Sequence, residues 1–86
     1  MYRNVMEALV EDKVDRLWKN HTGCTCMQCR ADVIALALNN LPPKYVVSRE
    51  GALFVKMAQL DNNHEVEITQ QVAIAMKVIG EAPHHN

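Results

Sequence analysis

The 86-residue chain has little of what most small-molecule enzymes and membrane proteins display. No run approaches the roughly 20 apolar residues needed to span a bilayer. The first residues, Met1-Tyr2-Arg3-Asn4-Val5, lead straight into a charged amphipathic segment, without the apolar core and small-residue cleavage site of a secretory signal. A cytoplasmic protein is therefore expected. The formal net charge of -1 removes the electrostatic reason to expect binding to a nucleic acid polymer. There is no Gly-rich phosphate loop among its 3 glycines, and no His, Glu or Ser falls at a recognisable catalytic spacing. An enzyme is not expected. Aromatic residues make up only 5%, so the core must be built from aliphatic side chains.

What the chain does have is a globular composition, 49% hydrophobic and 22% charged. Its length suits one domain over residues 1–86, with about 82–86 as a flexible, solvated tail holding His84 and His85. A domain this small buries a modest share of its surface and often leans on a metal, a disulfide or a partner subunit.

The hydrophobic pattern reads as all-α, with about four helices. From about Arg3 to Lys19, Val5, Leu9, Val14, Leu17 and Trp18 recur at helical steps. The segment stops in the Asn20–Gly23 cluster. From about Met27 to Asn39 the chain is apolar nearly all round, the pattern of a central buried helix. Leu41-Pro42-Pro43 ends it. Lys44 to Val47 is short and extended, and Ser48 to Gly51 resembles a turn. Residues Ala52 to Leu60 do not alternate cleanly, which favours a helix with Leu53, Met57 and Leu60 on one side over a strand paired with Tyr45–Val47. Asp61 or Asn62 is placed to cap a last helix running to about Gly80, with Val66, Thr69, Ala73, Met76 and Ile79 on one face. The apolar excess of the central and last helices suggests a homodimer.

The chemistry concentrates in one place. Cys24, Cys26 and Cys29 form a Cys-x-Cys-x-x-Cys cluster where a helix begins. Clustered thiols in a reducing compartment are more often metal ligands than structural disulfides, and an odd count leaves one unpaired in any intramolecular scheme. Zinc prefers a tetrahedron of thiolate and imidazole ligands, and ligands this close in sequence reach one ion at little loop-closure cost. A helix N-terminus also favours thiolates. The fourth position is open to several donors: His21 is nearest in sequence, His64 could arrive from the second half, and a partner subunit or water could also close the site. Arg30 is placed to offset the excess negative charge. A Cys-x-x-Cys redox enzyme would sit beside a βαβ pattern, and these surroundings are helical.

The stretch from Cys24 through Asp32, the run Ala35-Leu36-Ala37-Leu38-Asn39, and Leu41-Pro42-Pro43-Lys44-Tyr45-Val46-Val47 resembles the late competence development protein ComFB family. The resemblance covers most of the chain. It implies a small, mainly helical, zinc-binding, dimeric bacterial protein with the three cysteines as ligands. A fourth cysteine cannot be carried over, because the chain has 3. The family takes its name from a competence operon, and some relatives act as receptors for cyclic dinucleotide second messengers. The expected function is a regulatory or adaptor protein in competence, motility or related signalling, with an unidentified protein partner. The alternative is a structural interaction module with no small ligand. For a cyclic dinucleotide, cations would meet the phosphates and planar groups the bases. Arg30, Lys44, Tyr45 and Arg49 are the candidates.

Overall fold

The computed structural model describes residues 1–21, 23–59 and 61–81. Four helices carry the fold: α1 (Val5–Trp18), α2 (Met27–Asn39), α3 (Arg49–Gln59) and α4 (Asn62–Glu81). Two very short strands join them, β1 (Arg3–Asn4) and β2 (Tyr45–Val46), which pair antiparallel as Arg3 with Val46 and Asn4 with Tyr45. The extended Tyr45–Val46 segment is thus present, and it pairs with the start of the chain. Residues 52–59 are helical, as expected. The proposed 82–86 tail, with His84 and His85, lies outside the described residues, as does Leu60.

Local chemistry explains the helix starts. Asn4 is the N-cap of α1: its Oδ1 accepts from the Met6 N–H at 3.1 Å and also from the Lys44 N–H at 2.8 Å. One side-chain oxygen therefore caps the start of a helix and ties down the chain that leaves Pro42-Pro43. Ser48 does the same for α3. Its hydroxyl accepts from the Gly51 N–H at 3.0 Å and its carbonyl from the Ala52 N–H at 3.0 Å. The segment that resembles a turn is this cap together with the first residues of α3. Asp61 caps α4, its Oδ1 accepting from the Asn63 N–H at 2.8 Å.

The core lies between α1, α2 and α4. Met6, Val10 and Val14 of α1 meet Cys29, Val33 and Ala37 of α2 and Ile68, Val72, Ala75, Met76 and Ile79 of α4. Most of these side chains are small, so the helices approach closely. Each fully buried valine or methionine contributes about 1.5–3 kcal/mol through apolar area removed from water. Two expectations are adjusted. α2 is buried along one stripe, the side that packs on α1 and α4, with Ala31 and Ala35 exposed. On α4 the buried stripe starts at Ile68 rather than Val66, which is 53% exposed. α4 carries two apolar stripes, and packing against α1 and α2 selects one of them.

α3 sits outside this core. It buries Ala52 and Gln59, while Leu53, Phe54 and Met57 face solvent together with Tyr45 and Val47 of the preceding segment.

Candidate metal centre

The chain leaves α1 through a tight turn. The Asn20 N–H donates to the Leu17 carbonyl at 3.2 Å and the His21 N–H to that of Trp18 at 3.1 Å. Cys26, in extended conformation, is the N-cap of α2. Cys26 Sγ accepts from the Cys29 N–H at 3.4 Å, and its carbonyl accepts from the Arg30 N–H at 3.0 Å. The first turn of α2 thus carries Cys29 back over Cys26. Cys24 is half-buried, Cys26 exposed and Cys29 buried, and none is in a disulfide.

The three sulfurs lie within 4.8 Å of one another. Sulfurs on a tetrahedral zinc at about 2.3 Å stand about 3.8 Å apart. The donor set therefore fits such an ion with side-chain adjustments of about an ångström. Among the described residues no His, Asp or Glu joins the three thiols.

The thiols differ electrostatically. Cys26 is held below the usual thiol range, first by the Cys29 N–H and then by hydrogen bonding with Cys24. Cys29 is pushed up to about 12, first by burial and then by its thiol neighbours. The cluster combines one readily ionised sulfur with one that keeps its proton until something displaces it. A bound cation does that, because the ligand form of cysteine is the thiolate.

The structure separates the other candidates. His21 lies outside the thiol group. Its ring stacks on Trp18, with centroids 4.8 Å apart and planes 21° from parallel. His64 stands near the start of α4, with its Nδ1 3.9 Å from Asp61 Oδ1. The opposite end of α4 adjoins the cysteine loop: Gly80 Cα lies 3.5 Å from where a Gly23 side chain would begin. Sixteen helical residues, about 24 Å, separate His64 from that end. Arg30 is engaged by Asp15 of α1, with Nε to Oδ1 at 2.9 Å and Nη2 to Oδ2 at 3.1 Å. The pair lowers the Asp15 carboxyl, chiefly through its hydrogen bond from Arg30, and fixes the start of α2 on α1. Sequence periodicity alone gave no signal for this contact between residues 15 apart.

Lys44 and Tyr45 lie on the segment between α2 and α3, and Arg49 is the first residue of α3. Tyr45 is 63% exposed and meets Tyr2 edge to face, ring centroids 5.9 Å apart. Arg30 does not join them within one chain. The Val5 N–H is bound to the Lys44 carbonyl, and Asp15, which holds Arg30, lies ten residues along α1, about 15 Å away.

Fold and site together define a small four-helix domain with a three-thiol cluster, able to hold a metal ion, at the start of its second helix. The chain belongs to the late competence development protein ComFB family, whose profile matches residues 3–83. It is similar to the competence protein ComFB of Bacillus subtilis (strain 168), with 32% identity over 79 residues, covering 92% of this chain and 78% of that protein. It is also similar to a solved structure described as the structural characterization of the late competence protein ComFB from Bacillus subtilis. The TM-score is 0.88 at 30% identity, over 96% of this chain and 92% of that one. No helix among the described residues is long and apolar enough to cross a membrane.

Proposed function

We propose that this chain is a non-enzymatic, zinc-binding regulatory or adaptor protein of the ComFB type that works as a homodimer in the cytoplasm. The observation that carries it is the convergence of Cys24, Cys26 and Cys29 within 4.8 Å at a helix start. Zinc fits better than an iron–sulfur cluster, which normally takes four cysteines. The metal would supply fold stability by tying the loop after α1 to the first turn of α2.

The exposed side of α3 supports the dimer. Leu53, Phe54 and Met57 are each more than 60% exposed, as are Tyr45 and Val47 of the segment that precedes α3. Several large apolar side chains exposed at helical spacing on a small chain favour association. Phe54→Asp should convert a dimer to a monomer in analytical ultracentrifugation while leaving the helical circular dichroism intact. A wild-type chain that sediments as a monomer at high micromolar concentration would count against the dimer.

A second reading, receptor for a cyclic dinucleotide, is supported by exposed Tyr45 and Arg49 with half-buried Lys44 beside them in sequence. A specific ligand at 100 times its Kd stabilises the folded state by about 2.7 kcal/mol, which corresponds to a melting shift above about 10 °C in a domain of this size. The receptor reading expects such a shift with cyclic di-AMP or cyclic di-GMP, reduced by Tyr45→Ala. No shift at millimolar ligand leaves the adaptor alone.

A further inference from the structure

His21 is the histidine nearest the thiols in sequence, yet its ring is used elsewhere. One face stacks on Trp18, at 4.8 Å between centroids. Its edge is flanked by two glycines. A methyl group at Gly23 would lie 2.8 Å from His21 Nε2 and 3.1 Å from its Cε1, and one at Gly80 would lie 3.4 Å from Cε1. Neither glycine is needed for backbone conformation, since no described glycine has positive φ. Gly80 lies inside α4, where glycine is a poor helix former. Room for the ring is the physical reason for glycine at Gly23, whereas a methyl group at Gly80 would meet the ring in ordinary van der Waals contact.

The ring therefore occupies a seat made by three parts of the fold: the last turn of α1, the loop residue before Cys24, and the end of α4. Gly80 Cα is 3.5 Å from the point where a Gly23 side chain would begin, so the loop and α4 touch there. Cys24 follows directly, its Cα within about 9 Å of that of Gly80. His21 and Gly23 also wall a cleft of about 500 Å³ that runs along Leu17, Met76 and Lys77. Removing the ring would widen this open cleft.

We propose that His21 is a positioning residue and not a metal ligand: its imidazole, seated on Trp18 and against Gly23 and Gly80, fixes the loop that delivers Cys24 to the thiol cluster. This role depends on the zinc reading above. The ring acts through shape, so an aromatic residue without a ring nitrogen should replace it.

The test compares His21→Phe, His21→Ala and Gly23→Ala, alone and combined, by zinc affinity in chelator competition, by the absorption of the cobalt-substituted protein, and by melting of the metal-free chain. His21→Phe should keep zinc affinity within about threefold of wild type and leave the cobalt ligand-field bands unchanged. His21→Ala should weaken zinc about tenfold, the size of effect expected when a group that orients a ligand is lost. Gly23→Ala should cost about as much with His21 in place and little once His21→Ala has removed the ring, a non-additivity diagnostic of direct contact. The proposal is overturned if His21→Phe loses zinc as His21→Ala does and shifts the cobalt bands, which would make the imidazole a ligand. It is also overturned if His21→Ala leaves affinity unchanged, or if Gly23→Ala costs the same with and without the ring. A wild-type chain that takes up no metal would instead contradict the zinc reading. Melting of the metal-free variants would still decide whether the ring holds Gly23, and additive shifts would say that it does not.

Discussion

Cys29→Ser should lower the melting temperature by more than about 15 °C and leave the purified protein with little bound zinc. Cys29 is the thiol that belongs to both the site and the core. It is only 1% exposed, and it packs with Val33 and Ala37 along the stripe of α2 that meets α1 and α4. Its Sγ also lies within 4.8 Å of the other two sulfurs. The substitution removes one ligand and places a hydroxyl in an apolar setting. For a chain of 86 residues the loss of metal free energy is large against a total stability of about 5–15 kcal/mol. Cys26→Ser removes an exposed ligand and the acceptor for the Cys29 N–H, so it should lose zinc as well while disturbing the core less. If Cys29→Ser and Cys26→Ser both melt like wild type in the presence and absence of chelator, the cysteines contribute no metal-linked stability.

The second large effect is on pH. Zinc must displace the thiol protons, and in the metal-free chain Cys29 is pushed up to about 12, mainly by burial. Its proton is therefore present throughout the physiological range and leaves when the ion binds. One displaced proton makes apparent affinity change about tenfold per pH unit, so zinc should bind at least about 100-fold more weakly at pH 5 than at pH 7. Cys26, held low by the Cys29 N–H, contributes to the slope only below its own reduced value, so the dependence steepens toward acid. The metal-free chain has the opposite sign. A thiol whose folded value stands at about 12 against an ordinary 9.0 favours the folded state below pH 9, and that contribution is lost as the pH rises toward 12. Loaded protein should therefore lose stability in acid, and chelated protein in strong base. Equal zinc affinity at pH 5 and pH 7 would show that no thiol proton is displaced.

The thiol cluster was legible because it is local: three cysteines within six residues need only a helix start to converge. The helix ends were legible for a similar reason, since Pro42-Pro43 and Asp61 act on their own neighbours. Ser48 was harder, because a capping hydroxyl followed by Gly51 has the same composition as an isolated turn. The face of α4 was not decided locally, because Val66, Ile74 and Val78 make one apolar stripe and Ile68, Val72 and Ile79 another. Only the placement of α1 and α2 chooses between them. The Asp15–Arg30 pair and the seat of His21 depend on where α1 passes α2 and α4, information that no window along the chain contains. The family resemblance rested on the same local run of residues, and the fold match extends it to 96% of the chain.

Metal content bears most directly on the central claim that Cys24, Cys26 and Cys29 hold one structural ion. Protein purified without chelator should contain one zinc per chain by elemental analysis, and its thiols should react with a thiol reagent only after chelation. Fully folded, zinc-free protein whose three thiols titrate at once would contradict it.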